Sequence, residues 1–193
     1  MRVTFIGHSG FLVETATAYF LFDYFHGGIP SLDRDKPLVV FASHKHRDHY
    51  NPEIFNLFED YPWVRFVLDK DCGIKWKIRE WADRGMDLTV KLIRVRKNQK
   101  YDLVMPGDKR LQITTYRSTD AGVAYLLEGQ RIYHAGDLGH WIWEDRSEEY
   151  NRRMAERYRS EMAKMKGLSV DVAFVPLDPR LLGETPVGLE VFL

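Results

Sequence analysis

The sequence has very little cysteine, since Cys72 is the only one among its 193 residues. A single cysteine excludes an intramolecular disulfide and a zinc site built from several thiolates. It also favours a reducing compartment, so we expect a cytoplasmic protein. Any metal ion must then be held by histidine and carboxylate side chains.

The sequence also lacks an excess of charge of either sign and any long apolar run. Its 28 Lys and Arg residues balance 28 Asp and Glu residues, so we do not expect nucleic acid as a partner. No stretch approaches the length of a membrane span, and polar residues at 7–10 interrupt the apolar N-terminus. Segment 91–100 carries five basic residues and no acid. We interpret it as a solvated strand edge, with a strip facing an anionic substrate or RNA as the alternative.

Hydrophobic periodicity predicts strands alternating with helices in one domain over residues 1–193. The predicted strands are residues 2–6, 11–14, 19–23, 38–42, 64–68, 88–95, 101–105, 111–116, 123–127, 131–134 and 171–176. Helices are predicted after Asn51 and Pro52, which supply an N-cap and a first-turn proline, and over 73–84 and 147–166. The first three strands form an antiparallel meander, and the apolar run at 38–42 predicts a strand buried on both faces.

Three of the seven histidines fall within six residues, directly after that buried strand. The segment reads Ser43-His44-Lys45-His46-Arg47-Asp48-His49. Side chains two apart in an extended segment point the same way, so His44 and His46 can reach one metal ion together. Asp48 and His49 lie where the chain turns toward the next helix and can aim at a neighbouring point. Such ligands suit zinc, or iron or manganese, and two ions about 3.5 to 4 Å apart would share and acidify one water.

This H-x-H-x-D-H motif after a hydrophobic strand, with a later Gly136-Asp137 after another strand, resembles the metallo-β-lactamase-fold superfamily of metal-dependent hydrolases. Segments 5–14, 134–138 and 178–180 are similar to small bacterial members related to the ascorbate-6-phosphate lactonase group. The resemblance implies an α/β (α+β) fold, namely a four-layer αββα sandwich of two mixed sheets with helices outside. The metal site is then expected at one edge, where loops converge.

Carried over to this sequence, the resemblance implies a site with two metal ions. His44 and His46 bind the first ion, Asp48 and His49 bind the second, and Asp137 bridges both. A bridging aspartate after a glycine makes independent chemical sense, because glycine permits close approach of the backbone. We expect one or two ions of Zn²⁺, with Mn²⁺ or Fe²⁺ as alternatives.

Two departures from the family pattern concern metal ligands. The family usually places a histidine of the first metal where this sequence has residues 117–122, which hold none; Asp120 is the expected stand-in, unless it caps a turn. The family also supplies a histidine near its C-terminus, whereas no histidine follows His140 and the sequence ends at Leu193. We expect that a final strand and helix are missing, with an incomplete second site as the alternative.

Five further residues are candidates for orienting the ligands or lining the pocket. His8 and Asp23 lie at predicted strand ends, where they can orient a ligand histidine or form buried hydrogen bonds. His134 and His140 flank Asp137 in sequence. Trp141 follows and forms either a pocket wall or part of the core or rim packing.

The predicted function is hydrolysis of an ester, lactone or phosphoester by a metal-activated water, with Asp48 orienting the nucleophile and taking its proton. The expected substrate is a small, anionic molecule. One alternative is a non-catalytic metal-binding module with a degenerate site. A third is a metal-dependent nuclease, which would need a larger basic groove than segment 91–100 offers.

Overall fold

A computed structural model describes residues 1–181 and 185–192 of the chain. The chain divides into two compact units. The first comprises Met1–Arg96 and Val104–Arg110, and the second comprises Lys97–Leu103 and Leu111–Leu193. Each unit carries one mixed β-sheet with helices, which confirms the predicted α/β class. The assignment of residues 1–193 to one domain stays a prediction.

The sheet of the first unit has six strands that lie side by side in chain order. They are β1 (Arg2–Gly7), β2 (Gly10–Glu14), β3 (Tyr19–Phe22), β4 (Leu38–Ala42), β5 (Val64–Asp69) and β6 (Leu92–Val95). The first three strands are antiparallel, as predicted, and β3 to β6 are parallel. Every residue of β4 is buried, because this apolar strand lies at the centre of a parallel array.

Short helices complete the first unit. A 3-10 turn, Pro52–Asn56, leads into α1 (Leu57–Asp60), and the Asn51 side chain accepts a hydrogen bond from the Glu53 N–H as the predicted N-cap. The helix predicted at 73–84 is α2 (Lys75–Asp83). The strand predicted at 88–95 is wrong in its first half. Leu88–Lys91 forms a 3-10 turn because the Asp87 carboxylate caps it at the Thr89 N–H, and only β6 is extended.

The sheet of the second unit has the strand order β11-β10-β9-β8-β7. Its strands are β7 (Lys100–Val104), β8 (Arg110–Arg117), β9 (Val123–Leu127), β10 (Ile132–His134) and β11 (Val172–Phe174). Strands β8 to β10 pair antiparallel, and β10 pairs parallel with β11. Single 3-10 turns occur at Pro106–Asp108, Glu128–Gln130 and Pro179–Leu181.

The described residues of the second unit form the α-helices α3 (Glu148–Ala163) and α4 (Thr185–Phe192). Ser147 caps α3 by accepting from the Tyr150 N–H. Tyr158 and Met162 of α3 are buried with Tyr133 in one apolar cluster, so this face of the helix packs in the core. None of the helices in the described parts of the chain is long and apolar enough to cross a membrane.

The strand register of the first unit brings Asp23 close to Ser43. Phe22 pairs with Phe41 across β3 and β4, and the Asp23 N–H donates to the Phe41 carbonyl at 3.0 Å. Parallel strands end at the same edge of a sheet. Asp23 and Ser43 therefore leave the sheet side by side.

Candidate functional site

Asp23 is the centre of a buried hydrogen-bond network at this edge. Its Oδ1 accepts from the Ser43 N–H at 2.7 Å, and its Oδ2 accepts from the Ser43 hydroxyl at 2.6 Å. The same Oδ2 lies 2.7 Å from His49 Nδ1. Asp23 is fully buried and has a left-handed φ of 43°, an unusual conformation that concentrates at functional sites. The network holds the Asp23 carboxylate in one position despite the unusual backbone conformation of this residue.

These hydrogen bonds decide the tautomers of two histidines. An ionised carboxylate only accepts, so the neutral imidazole of His49 has its proton on Nδ1 and its lone pair on Nε2. The Ser43 hydroxyl gives its one proton to Asp23, so it accepts from His44 Nδ1, which lies 3.0 Å away. His44 therefore also has its lone pair on Nε2. A carboxylate that orients an imidazole in this way is typical of metal-ligating histidines.

His44 and His46 lie close together, as the sequence predicts, although residues 43–46 form bends and not the expected extended segment. His44 Nε2 lies 3.0 Å from His46 Nδ1, and the two ring centroids are 4.5 Å apart. Two nitrogens bonded to one tetrahedral zinc ion at roughly 2.0 to 2.1 Å are separated by about 3.4 Å. The pair therefore fits a single ion. His44 is buried and His46 is exposed, so solvent reaches the pair from one side.

Asp48 lies between two further histidines. Its Oδ2 is 3.8 Å from His8 Nε2 and 3.8 Å from His49 Nε2. The three ligand atoms all lie within 4.8 Å of one another. The Ser9 hydroxyl donates to the Asp48 carbonyl at 2.8 Å. This bond connects the turn between β1 and β2 with residues 43–49, the histidine-rich segment. His26, by contrast, is an exposed loop residue.

In the second unit, backbone contacts hold the loop that carries Asp137. The Asp137 carbonyl accepts from Trp141 Nε1 at 2.9 Å. The Thr119 hydroxyl donates to the Gly139 carbonyl at 2.7 Å and accepts from the Gly139 N–H at 3.0 Å. Gly136 has a φ of 53°, a conformation that favours glycine. Carbonyl groups of this loop thus take part in the hydrogen bonds that hold it.

Asp120, His134 and His140, the other predicted site residues discussed for the second unit, differ in their exposure to solvent. Asp120 is exposed, and its N–H donates to the Ser118 hydroxyl in a turn. His134 is buried, and its Nδ1 accepts from the Gly136 N–H at 3.1 Å. His140 is buried against Tyr158, a phenol whose pKa burial raises to about 12. These contacts give both histidines fixed positions within the unit.

Arg180 and the basic segment 91–100 make contacts within the protein that explain their charged side chains. Arg180 donates hydrogen bonds to Asp178 and holds the pKa of that carboxyl below its usual range. In the basic segment, Lys91 and Arg94 donate to backbone carbonyls, and those that Arg94 contacts include the carbonyls of Asp69 and Cys72. These contacts favour a structural role for the two cations.

Comparison with known proteins places residues 2–153 in a family described as "Beta-lactamase superfamily domain". The protein named "UPF0173 metal-dependent hydrolase" from Desulforamulus reducens is 28% identical over 144 residues, which cover 72% of this chain and 63% of that protein. Its namesake from Geobacillus thermodenitrificans is 25% identical over 190 residues, 92% of this chain and 73% of that protein. The chain thus spans less than two thirds of the length of the first of these relatives.

A solved structure shares the fold at low sequence identity. CmlA, a diiron beta-hydroxylase from Streptomyces venezuelae, aligns with a TM-score of 0.53 at 14% identity. The alignment covers 90% of this chain and 34% of CmlA. It supports the fold alone.

Proposed function

Because the chain belongs to the β-lactamase superfamily domain family, we propose that it is a metal-dependent hydrolase whose first metal ion is held by His44 and His46. The observation that carries this proposal is the Asp23 network. The buried Asp23 carboxylate accepts directly from His49 Nδ1, which fixes the tautomer of His49. It fixes the tautomer of His44 through the Ser43 hydroxyl. Each of these imidazoles has its lone pair on Nε2, the form that binds a metal ion.

The remaining ligands follow from the family resemblance. We propose that Asp48 and His49 bind a second ion, that Asp137 bridges the two, and that Asp120 stands in as the further ligand of the first. The ligand set of nitrogens and carboxylates suits Zn²⁺, with Mn²⁺ or Fe²⁺ as alternatives. The lone, buried Cys72 supports a cytoplasmic location.

When bound, the ion supplies Lewis acidity, which polarises a carbonyl or phosphoryl oxygen and makes water more acidic. The chain's own contribution is to orient the reactants and to accept a proton. The Asp48 side chain is 46% exposed, so it is open to solvent and substrate. We assign it the role of orienting the attacking water and taking its proton. Asp23 and Ser43 are positioning residues, because they keep the imidazoles of His44 and His49 in the tautomer that binds a metal ion.

We propose a small anionic ester, lactone or phosphoester as the substrate. Esters, lactones and phosphoesters share a carbonyl or phosphoryl centre that a metal-activated water can attack.

Removal and return of the metal tests the proposed function. The chain is stripped with a chelator, reloaded with Zn²⁺, Mn²⁺ or Fe²⁺, and assayed on p-nitrophenyl acetate, a sugar lactone and bis-p-nitrophenyl phosphate. We expect hydrolysis of at least one substrate to fall by about 100-fold or more on stripping and to return on reloading, because the ion contributes several kcal/mol to the transition state.

The exposed His26 provides the matched control, since His26→Ala should leave the metal dependence unchanged. Metal binding without turnover of any substrate class would favour a non-catalytic metal-binding module. Failure to bind metal would overturn the proposed function itself.

A further inference from the structure

We propose that His8 is a direct ligand of the metal ion that Asp48 and His49 bind. The inference rests on the proposed function, because it requires that this chain binds a metal ion. The sequence alone suggests only an orienting role for His8. In the structure its imidazole faces the Asp48 carboxylate at the same distance as the His49 imidazole does.

The spacing of the three ligand atoms points to an ion between them. Asp48 Oδ2 lies 3.8 Å from both imidazole Nε2 atoms, which is too long for a hydrogen bond. Ligands bonded to zinc at roughly 2.0 to 2.2 Å in a tetrahedral site lie about 3.4 Å apart. A shortening of a few tenths of an ångström would bring the two distances to Asp48 to this value. The ligand set would be two imidazoles and one carboxylate, as in many zinc sites with an open position.

The hydrogen bonds of Ser9 give His8 the tautomer that a ligand needs. The Ser9 hydroxyl donates its one proton to the Asp48 carbonyl at 2.8 Å. His8 Nδ1 lies 3.1 Å from the same hydroxyl oxygen, which can then only accept. The neutral imidazole of His8 therefore has its proton on Nδ1, and Nε2, the atom facing Asp48, carries the lone pair. His49 has the same tautomer through Asp23.

The backbone of the β1–β2 turn is shaped to present His8. His8 has a left-handed φ of 52°, which is uncommon for a residue other than glycine. The register of β1 and β2 shifts between Phe5 and Gly7, and such irregularities re-aim side chains near active sites. A Cβ at Gly10 would lie 3.3 Å from the Asp23 carbonyl oxygen, so glycine lets the turn approach the buried network closely. The left-handed conformation of His8 and the close approach at Gly10 thus both belong to the turn that carries His8 toward Asp48.

The test compares His8→Asn with His26→Ala. Asparagine tolerates the left-handed conformation, so His8→Asn removes the imidazole with little backbone strain. Loss of a residue that merely orients a ligand weakens metal binding by roughly 10- to 100-fold. If His8 is a ligand, we expect His8→Asn to weaken zinc binding at one site by more than about 100-fold in a competition titration. The exposed-loop variant His26→Ala should match the wild type.

Cobalt provides a readout that a merely orienting role would not change. In the Co²⁺-loaded protein, the exchangeable ring N–H of each ligating histidine gives a strongly shifted proton resonance. We expect His8→Asn to lose one such resonance and to keep the others, while His26→Ala keeps all.

The outcomes separate this inference from the function on which it rests. If the wild type binds zinc and His8→Asn retains both its affinity and every shifted resonance, the inference is wrong and the proposed function stands. If the wild type binds neither zinc nor cobalt, the proposed function fails and the inference fails with it.

Discussion

Replacing Asp23 with asparagine should destabilise the protein by about 3 kcal/mol and weaken metal binding, because one buried carboxylate accepts three hydrogen bonds. The amide of asparagine accepts at one atom and donates at the other. If its oxygen keeps the Ser43 N–H, its NH₂ group confronts two donors, the Ser43 hydroxyl and His49 Nδ1–H. Each donor left without an acceptor in a buried site costs roughly 1 to 3 kcal/mol.

The same substitution should change the chemistry of His49. With a donor facing Nδ1, the imidazole is driven to carry its proton on Nε2, where it cannot bind a metal ion. We expect zinc affinity to fall by roughly 10- to 100-fold and the thermal midpoint to fall by roughly 6 to 12 °C. Calorimetry of zinc binding and a thermal melt of the stripped protein measure the two effects separately.

Asp102→Asn, at an exposed position, is the matched control and should leave both quantities unchanged. Asparagine also tolerates the φ of 43° at residue 23, so the backbone contributes little to the expected loss. Wild-type zinc affinity in Asp23→Asn would contradict the role given to this network.

Replacing Asp137 with alanine should abolish hydrolysis while the protein stays folded. The proposed bridging carboxylate serves both ions, so its loss should reduce the bound metal and slow turnover by on the order of 1,000-fold, equivalent to about 4 kcal/mol. The fold should persist because the loop is held by backbone groups, including the Asp137 carbonyl that accepts from Trp141. Elemental analysis, a rate assay and a thermal melt test the three parts.

Asp145→Ala is a suitable comparison, since the Asp145 side chain is 81% exposed. It should have wild-type metal content and rate. If Asp137→Ala also keeps its full metal content and turnover, the assignment of this residue is wrong.

Much of the first sheet could be predicted because its strands carry strong local signals. The apolar run of β4 and the polar breaks between β1, β2 and β3 are visible in the sequence. The 3-10 turn at Leu88–Lys91 was predicted wrongly as a strand, because a single cap from Asp87 outweighs an apolar pattern over so few residues.

The candidate site also has features that the local sequence predicts and features that depend on contacts between residues far apart in the sequence. The two-residue spacing of His44 and His46 is a local signal, and the structure places the two side chains together. The path from Asp23 through Ser43 to His44 depends on the register of β3 and β4, which no local pattern encodes. The approach of His8 to Asp48 depends on a contact between residues 39 apart, Ser9 and Asp48, and is equally invisible in the sequence.

The most direct test of the central claim, that the histidine-rich segment holds a metal ion, is the metal content of two purified chains. The wild type and the double variant His44→Ala/His46→Ala are incubated with zinc, dialysed and analysed for zinc per chain. We predict about one or two ions in the wild type, from the ligand count, and at least one ion fewer in the variant, with unchanged circular dichroism. A wild type without zinc, or a variant that retains the wild-type number of ions, would contradict the claim.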